Sequence, residues 1–393
     1  MTLTITNITN TVQDQPDFDG HETVILAEDS DIKFRAYIAV HNTSRGPALG
    51  GCRYWSRYTN DDEAITDVLR LSRGMTYKNA LADLPLGGGK AVIMGPPGTR
   101  NPTPDQMKAL GRAVESLQGR YITAEDVGMS VDHMLIARGT TRHVSGLPLE
   151  VIAAEHIPAT LATGEMPEAD PSPYTAFGVF EAMRAGVLQR FGRNTMKDLR
   201  ISVKGYGNVA QTLCKLLDEA GAVVTVSEID DGRIAQAKAD GFHVLAKGME
   251  IMSYPADIYA PCALGGDIRD ETIQLLHLAG VKLVNGAANN QLARPHHAER
   301  LLEKGILYTP DYLANAGGVI SVGVQQIWAD VPAKETFPTH AKLMHRIGHI
   351  YNVAQEVFQR SQQTGANTAH IANQIAEERF MRRSPAKDKV RAA

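Results

Sequence analysis

The stretch LRISVKGYGNVAQTLCKLLDEAGAVVTVSEID, residues 199–230, limits what this chain can fold into more than any other. It reads as a short apolar strand, a Gly205-x-Gly207-x-x-Ala210 turn, an amphipathic helix, and a second strand that ends on Glu228. Each part has a physical role. Gly205 permits the tight turn, Gly207 lets a pyrophosphate reach the backbone, and Ala210 lets the helix pack closely on the strand. The helix N-terminus then offers unpaired N–H groups to the diphosphate. Glu228 is placed to accept hydrogen bonds from the adenosine ribose hydroxyls. A carboxylate there repels a 2′-phosphate, and no arginine follows until Arg233, so the expected cofactor is NAD rather than NADP.

Elsewhere strands alternate with helical patterns, the signature of an α/β fold. At 393 residues the chain exceeds what one core usually holds, so two domains are expected. The Pro-, Gly- and Ala-rich run GLPLEVIAAEHIPATLATGEMPEADPSPY places their boundary near residue 170. Before it, VILAEDSDIKFRAYIAVHNT predicts two strands, and NDDEAITDVLRLSRGMTYKNALA predicts a helix capped by Asn60 or Asp61, with Ile65, Val68, Leu69 and Met75 on one face and Lys78 near it. A helix over about 103–117 and a strand in RYITAEDVGM follow. After the boundary, ADIYAPCAL, VKLVNGAANNQL and ILYTPDYLANAGGVISV read as further βα units. Two helices are expected over about 338–382, and the polar tail 383–393 is expected to be disordered.

Composition narrows the class. A net charge of −4 gives no reason to expect nucleic acid or a membrane surface as partner, and no 18-residue apolar span or signal peptide is legible. Cys52, Cys214 and Cys262 lie far apart without metal-ligand spacing, which favours reduced thiols in a cytoplasmic protein. His345 and His349 share a helical face, but with no acidic third ligand they read as a solvated pair, so no metal is expected.

A second glycine-rich stretch, LPLGGGKAVIM at 84–94, raises a chemical question. It is not a phosphate loop, because Ala91 follows the lysine and a strand follows the glycines where a helix should start. Lys78, Lys90 and Asp126 each stand at the end of an element. Singly they read as surface lysines and a capping aspartate. The glycines pressing backbone against Lys90 tilt this towards a site with room for a small substrate, and burial moves a lysine pKa into the range useful for proton transfer.

The blocks HNTSRGPALGG, RLSRGMTYKNALADLPLGGGKAVI, YITAEDVG, PSPYTAFGV, GYGNVA, YAPCALGG, GAANNQL and PDYLANAGGVISV occur in this order over about residues 25–325. Together they resemble the leucine, valine and phenylalanine dehydrogenases of the Glu/Leu/Phe/Val dehydrogenase superfamily. The resemblance implies two domains with a cleft between them: an N-terminal α/β substrate-binding and oligomerisation domain (1–170) and a Rossmann-type NAD-binding domain (171–335), with C-terminal helices (336–382) packing back on the first. It implies NAD-dependent oxidative deamination of an L-amino acid to a 2-oxo acid and ammonium, reversible as reductive amination, in a homo-oligomer of two to eight subunits. Lys78 resembles the lysine that holds the substrate carboxylate. Lys90 resembles the general base that activates water, and Asp126 the residue that moves protons to and from the substrate nitrogen. Gly50 and Gly51 would line the substrate. Leu49, Ala124, Val319 and Val322 would form an aliphatic side-chain pocket of the leucine or valine type, with Leu49 standing where glutamate dehydrogenases carry a lysine. Asn289 with Asn290 would position substrate and nicotinamide, Thr175 would contact the carboxamide, and Asn208, Val209, Ile229, Cys262 and Ala263 would complete the cofactor site. Ser321 stands where the family often has Asn, and AAEHIPATLATGEMPEAD and GVQQIWADVPAKETFPTH depart from its pattern. Those departures keep an aromatic substrate, phenylalanine or tryptophan, as the alternative. A non-catalytic NAD-binding protein on the same fold is the other alternative.

Overall fold

The computed structural model describes residues 3–148, 151, 170–247, 249–329 and 339–381. The tail 383–393 and most of the two departing segments lie outside the described residues. The chain divides into two compact units, Met1–Ala169 with Val322–Thr339 and Ala376–Ala393, and Asp170–Ser321 with His340–Ile375.

The first unit is built on a six-stranded sheet. Its strands are β1 (Thr4–Asn7), β2 (Thr23–Asp29), β3 (Phe34–Asn42), β4 (Ala48–Trp55), β5 (Gly87–Met94) and β6 (Tyr121–Glu125), in the order β1-β2-β3-β5-β4-β6. β1, β2, β3 and β5 pair antiparallel, whereas β4 runs parallel to β5 on one side and to β6 on the other. Alternation along β3 feeds two cores: Ala36, Ile38 and Val40 face Met107, Leu110 and Val114 of the helix Pro104–Glu115, while Tyr37 and Ala39 face Ile65, Val68 and Leu69 of the helix Asp61–Leu81. The latter helix starts where the Asn60 side chain accepts the Glu63 N–H at 3.0 Å, with Asp61, Asp62 and Glu63 in its first turn complementing the dipole.

The second unit holds six parallel strands, β7 (Arg200–Lys204), β8 (Val223–Ser227), β9 (His243–Val244), β10 (Ile258–Pro261), β11 (Leu283–Val284) and β12 (Leu307–Tyr308), in the order β12-β11-β10-β7-β8-β9. The chain enters at the centre, fills one side, and returns to fill the other. The strand order therefore reverses beside β7, which is where doubly wound sheets bind their ligands.

Two expectations are corrected. The strand expected to follow the glycines of LPLGGGKAVIM starts on them, so Gly87, Gly88 and Gly89 are the first three residues of β5. The C-terminal helices do not both join the first unit. His340–Thr364 buries Ile347, Ile350, Ala354 and Val357 and packs on the helix Ser172–Phe191, where Ile350 Cδ1 stands 2.8 Å from a Cβ built on Gly178 and Gln355 donates to the Ala185 carbonyl at 2.9 Å. The end of the helix Thr368–Met381 belongs to the first unit: Tyr77 donates to Glu377 at 2.8 Å, and Arg379 donates to the Ala80 and Leu81 carbonyls. Among the described residues, no helix is long and apolar enough to cross a membrane.

Candidate active site

In the first unit the register across β5, β4 and β6 assembles the chemistry. Cys52 pairs with Ala91 on one side and Glu125 on the other, so Lys90, Gly51 and Ala124 stand one residue back in a row. Asp126 follows at the end of β6. Lys90 is 5% exposed, and its Nζ lies 2.8 Å from Asp126 Oδ2. Arg53, two residues beyond Gly51, brings Nε to 3.2 Å from the same oxygen. Gly51 has to lack a side chain, since a Cβ there would stand 2.9 Å from Asp126 Cβ and 2.5 Å from the Glu125 carbonyl oxygen. Burial by itself would raise the Asp126 carboxyl; Lys90 and Arg53 outweigh it and hold the group below the usual carboxylate range. Beneath the pair, burial pushes the Cys52 thiol well up, so it stays protonated and inert.

Lys78 is half-buried in the last turn of the helix Asp61–Leu81. That turn is fastened to the sheet by Asn79, whose Nδ2 donates to the Gly87 carbonyl at 2.6 Å and the Leu49 carbonyl at 3.3 Å. The question raised by the glycines has a different answer from the expected one. What approaches them is protein: a Cβ would meet the Asn42 carbonyl oxygen at 1.9 Å on Gly87, the Thr76 amide nitrogen at 2.0 Å on Gly88, and the Tyr121 ring at 2.6 Å on Gly89. Gly50 likewise lies against Met75, 3.2 Å from such a Cβ, and the Gly89 carbonyl. The glycines let the helix that carries Lys78 press onto the strand that carries Lys90. Of the predicted pocket residues, Leu49 is 1% exposed and Ala124 is 7% exposed. Ala124 and Val322 both lie 3.9 Å from a Cβ placed on Gly146, and Leu49, Leu84 and Leu86 surround Gly323. Val319 lies in the second unit, half-buried.

In the second unit the cofactor candidates gather past the C-terminal ends of β7, β8, β10 and β11. Gly205 has φ +96, a backbone state that L side chains rarely adopt, and its missing Cβ would stand 3.0 Å from Ala263. Gly207 caps the helix Asn208–Glu219 with no side-chain partner, and a Cβ there would meet nothing closer than the Arg233 guanidinium at 4.0 Å. Asn208 and Val209 form the first turn, and Ala210 is buried against the sheet. The open space above Gly207 and the uncapped amides fit a diphosphate. Glu228 differs from expectation: Oε2 accepts the Tyr206 N–H at 2.7 Å and Oε1 accepts those of Ile229 and Asp230 at 2.6 and 3.1 Å. These amides hold its carboxyl below the usual range against the opposing effect of burial. Its first role is therefore to tie the glycine turn to β8. Ile229 is 86% exposed, and Leu264, just beyond Cys262 and Ala263, is 81% exposed, which leaves two bare apolar side chains at this edge. Thr175 donates to the Pro171 carbonyl at 3.0 Å and lies 2.5 Å from a Cβ on Gly318.

Asn289 and Asn290 are exposed, with their carbonyls packed on Gly265. Asn315 fixes Asn289 by donating to its Oδ1 at 2.8 Å and to the Ala287 carbonyl at 3.1 Å, while Asn315 Oδ1 is buried without a partner. Sequence reasoning missed three supporting residues, Arg53, Asn79 and Asn315. Asn79 and Asn315 left a signal, inside RLSRGMTYKNALADLPLGGGKAVI and PDYLANAGGVISV; Arg53 lies outside every such block. Two histidine groupings bear on metal binding. His345 and His349 are exposed with rings 5.2 Å apart. Asp270, His296 and His297 bring ligating atoms within 4.8 Å of one another. In that group His297 Nδ1 accepts the Arg294 N–H at 3.0 Å, which puts the neutral ring's proton on Nε2, the atom facing Asp270, and leaves no lone pair for an ion.

Residues 21–143 match the family model described as Glu/Leu/Phe/Val dehydrogenase, dimerisation domain, and residues 170–244 and 230–386 match that for Glutamate/Leucine/Phenylalanine/Valine dehydrogenase. The chain belongs to the Glu/Leu/Phe/Val dehydrogenase family. It is thus an amino-acid dehydrogenase, an oxidoreductase of a family whose members use a nicotinamide dinucleotide. Leucine dehydrogenase of Bacillus subtilis is 41% identical over 367 residues, which cover 93% of each chain. L-tryptophan dehydrogenase of Nostoc punctiforme is 36% identical over 95% of this chain and 97% of its own. The crystal structure of L-tryptophan dehydrogenase from Nostoc punctiforme superposes with a TM-score of 0.75 at 34% identity, covering 94% of this chain and 98% of that one. A hetero-hexameric glutamate dehydrogenase from Thermus thermophilus shares the fold at 19% identity and a TM-score of 0.68.

Proposed function

We propose that this dehydrogenase oxidises an L-amino acid with a branched aliphatic side chain to its 2-oxo acid and ammonium, using NAD. The observation that carries the chemistry is the Lys90–Asp126 pair at 2.8 Å, with Lys90 buried and Asp126 half-buried, and with Lys90 in one row of the sheet with Gly51. In this reading Lys78 holds the substrate carboxylate by a charge-assisted contact and so fixes Cα. The nicotinamide, when bound, supplies the hydride acceptor. Lys90 takes a proton from the water that adds to the iminium carbon and steadies the oxygen that develops there. Asp126 first takes a proton from the substrate ammonium and returns it to nitrogen as the C–N bond breaks with its electron pair on nitrogen; the hydroxyl proton released as the C=O bond forms goes to the departing ammonia, which leaves as ammonium.

Gly205, Gly207, Asn208, Val209 and Ala210 would hold the diphosphate, and Ile229, Cys262 and Ala263 would flank the adenosine. Glu228 disfavours a 2′-phosphate by its charge even while it binds amides, which supports NAD. Thr175, Asn289 and Asn290 would face the nicotinamide. The segment 1–170 would serve substrate binding and self-association, in keeping with the description of the model matched by residues 21–143, and 171–335 would serve the cofactor. The residues offered to the substrate side chain, Leu49, Ala124, Val319 and Val322, carry no charge, so a second carboxylate would be desolvated without a partner. A second reading, an aromatic side chain, is supported by the 36% identity to L-tryptophan dehydrogenase of Nostoc punctiforme over 95% of this chain.

One assay separates them: NADH or NADPH formation at alkaline pH with L-leucine, L-valine, L-phenylalanine, L-tryptophan and L-glutamate. Preference for leucine or valine with NAD is expected; preference for an aromatic installs the second reading, and silence across the panel with NADH still bound overturns both. Lys90→Ala is expected to abolish turnover while sparing NADH affinity, and a near-normal rate would remove Lys90 from the mechanism.

A further inference from the structure

Asp126 has a second cation that the sequence did not mark. Lys90 and Arg53 converge on one oxygen, Oδ2, at 2.8 and 3.2 Å. Arg53 is itself held from behind: its Nη1 lies 2.9 Å from Asp67 Oδ2, and that oxygen also accepts the Tyr58 hydroxyl at 2.5 Å. Asp67 sits on the helix Asp61–Leu81, so the chain of contacts runs from that helix through β4 to the end of β6. The other groups facing the carboxylate are Cys52, kept neutral by burial, and the buried phenol of Tyr121, whose hydroxyl donates to the Gly50 carbonyl at 2.7 Å. Among the described residues, Lys90 and Arg53 both pair with this carboxylate. Under the proposed reaction Lys90 has to be neutral when it takes the proton from water, and at that moment a lone pairing would leave the half-buried Asp126 beside an uncharged amine. An arginine keeps its charge at any working pH.

We infer that Arg53 is a positioning residue for Asp126: it holds Oδ2 whether Lys90 is charged or neutral, so that the carboxylate remains a proton acceptor and the proton it takes from the substrate nitrogen, and later returns, is carried on the other oxygen. The inference rests on the amino-acid dehydrogenase reading given above. Arg53 touches neither substrate nor cofactor in it; it acts through the carboxylate.

The test compares Arg53→Met, Arg53→Lys and the milder Asp67→Asn, which keeps the Arg53–Asp126 contact and loosens its anchor, in the full-length enzyme. Arg53→Met is expected to lower kcat about tenfold or more and to move the acid limb of its pH profile up by about one unit, with NADH affinity unchanged. Arg53→Lys should return the limb towards its wild-type position because the charge is restored, and Asp67→Asn should fall between. An unmoved limb in Arg53→Met, or losses of kcat that follow losses of Tm across the three variants, overturns the inference. A substrate-free reading runs alongside: the 13C-carboxyl titration of Asp126 should move up in Arg53→Met and return in Arg53→Lys. If the wild type deaminates no amino acid, the proposed function fails, and this titration still decides whether Arg53 sets the state of Asp126.

Discussion

Acidification should destabilise the first unit through His21, by an amount that the structure allows to be worked out. His21 is 4% exposed, and its Nδ1 accepts the Asp19 N–H at 3.2 Å. The neutral ring therefore carries its proton on Nε2, which lies 3.1 Å from the Leu69 carbonyl and 3.0 Å from Ser72 Oγ. A second proton would have to enter on Nδ1, against a backbone donor. The His41 ring, whose centroid is 4.8 Å away, titrates in the same acidic direction because it too is buried. Burial, followed by His41, pushes His21 from an ordinary 6.5 down to about 4. Between those values the unfolded chain binds a proton that the folded one refuses. Stability present above the unfolded value is therefore lost as pH falls, by about 1 kcal/mol at pH 5.5 and about 3 kcal/mol by pH 4. Urea denaturation of wild type and His21→Gln between about pH 7.5 and about pH 4.5 isolates this term, since the variant keeps every other titrating group. The wild type should be the more stable at neutral pH, and the gap should close on acidification. A gap that stays constant over the range would refute the assignment of the acid loss to His21.

Two further outcomes follow from close approaches. Gly88→Ala puts a Cβ 2.0 Å from the Thr76 amide nitrogen and 2.3 Å from its Oγ1, so the helix Asp61–Leu81 has to move; the urea midpoint should fall by the equivalent of about 3 kcal/mol or more, and the KM for the amino acid should rise because Lys78 rides on that helix. Gly205→Ala forces a side chain onto φ +96 at a strain of about 1–2 kcal/mol and crowds Ala263 at 3.0 Å; NADH binding, followed by its fluorescence, should weaken about tenfold or more while the fold survives.

How far the sequence discloses this molecule depends on whether the information is local. The turn Gly205-x-Gly207-x-x-Ala210 is legible because each residue answers to its immediate neighbours: a positive φ, an open helix end, a helix packed on a strand. Asn60 as a helix cap is local in the same sense. The C-terminal helices are visible in their periodicity, but periodicity says only that an apolar stripe needs a partner. The groove that receives Ile350 is made by Gly178, more than 170 positions earlier, and nothing near residue 350 records it.

The same limit explains the candidate site. Lys90 and Asp126 stand out through the blocks around them, whereas Arg53 lies in plain view three residues after Gly50 and carries no local mark. Its importance comes from register: because β4 is parallel to both β5 and β6, residues far apart in the chain fall into rows, and a residue two places beyond Gly51 lands beside one two places beyond Ala124. The glycines mislead for a related reason. A run of glycines announces that something comes close, and a buried lysine next to it suggests a ligand. Steric reasoning cannot tell a ligand from a helix until the sheet is assembled, and here Thr76 and Tyr121 occupy the space that a substrate was expected to take. The consequence for the chemistry is that Gly88 and Gly89 act on the reaction through Lys78 and Lys90, by setting how near the helix stands to the strand, so substitutions there should alter substrate affinity and stability together rather than either alone.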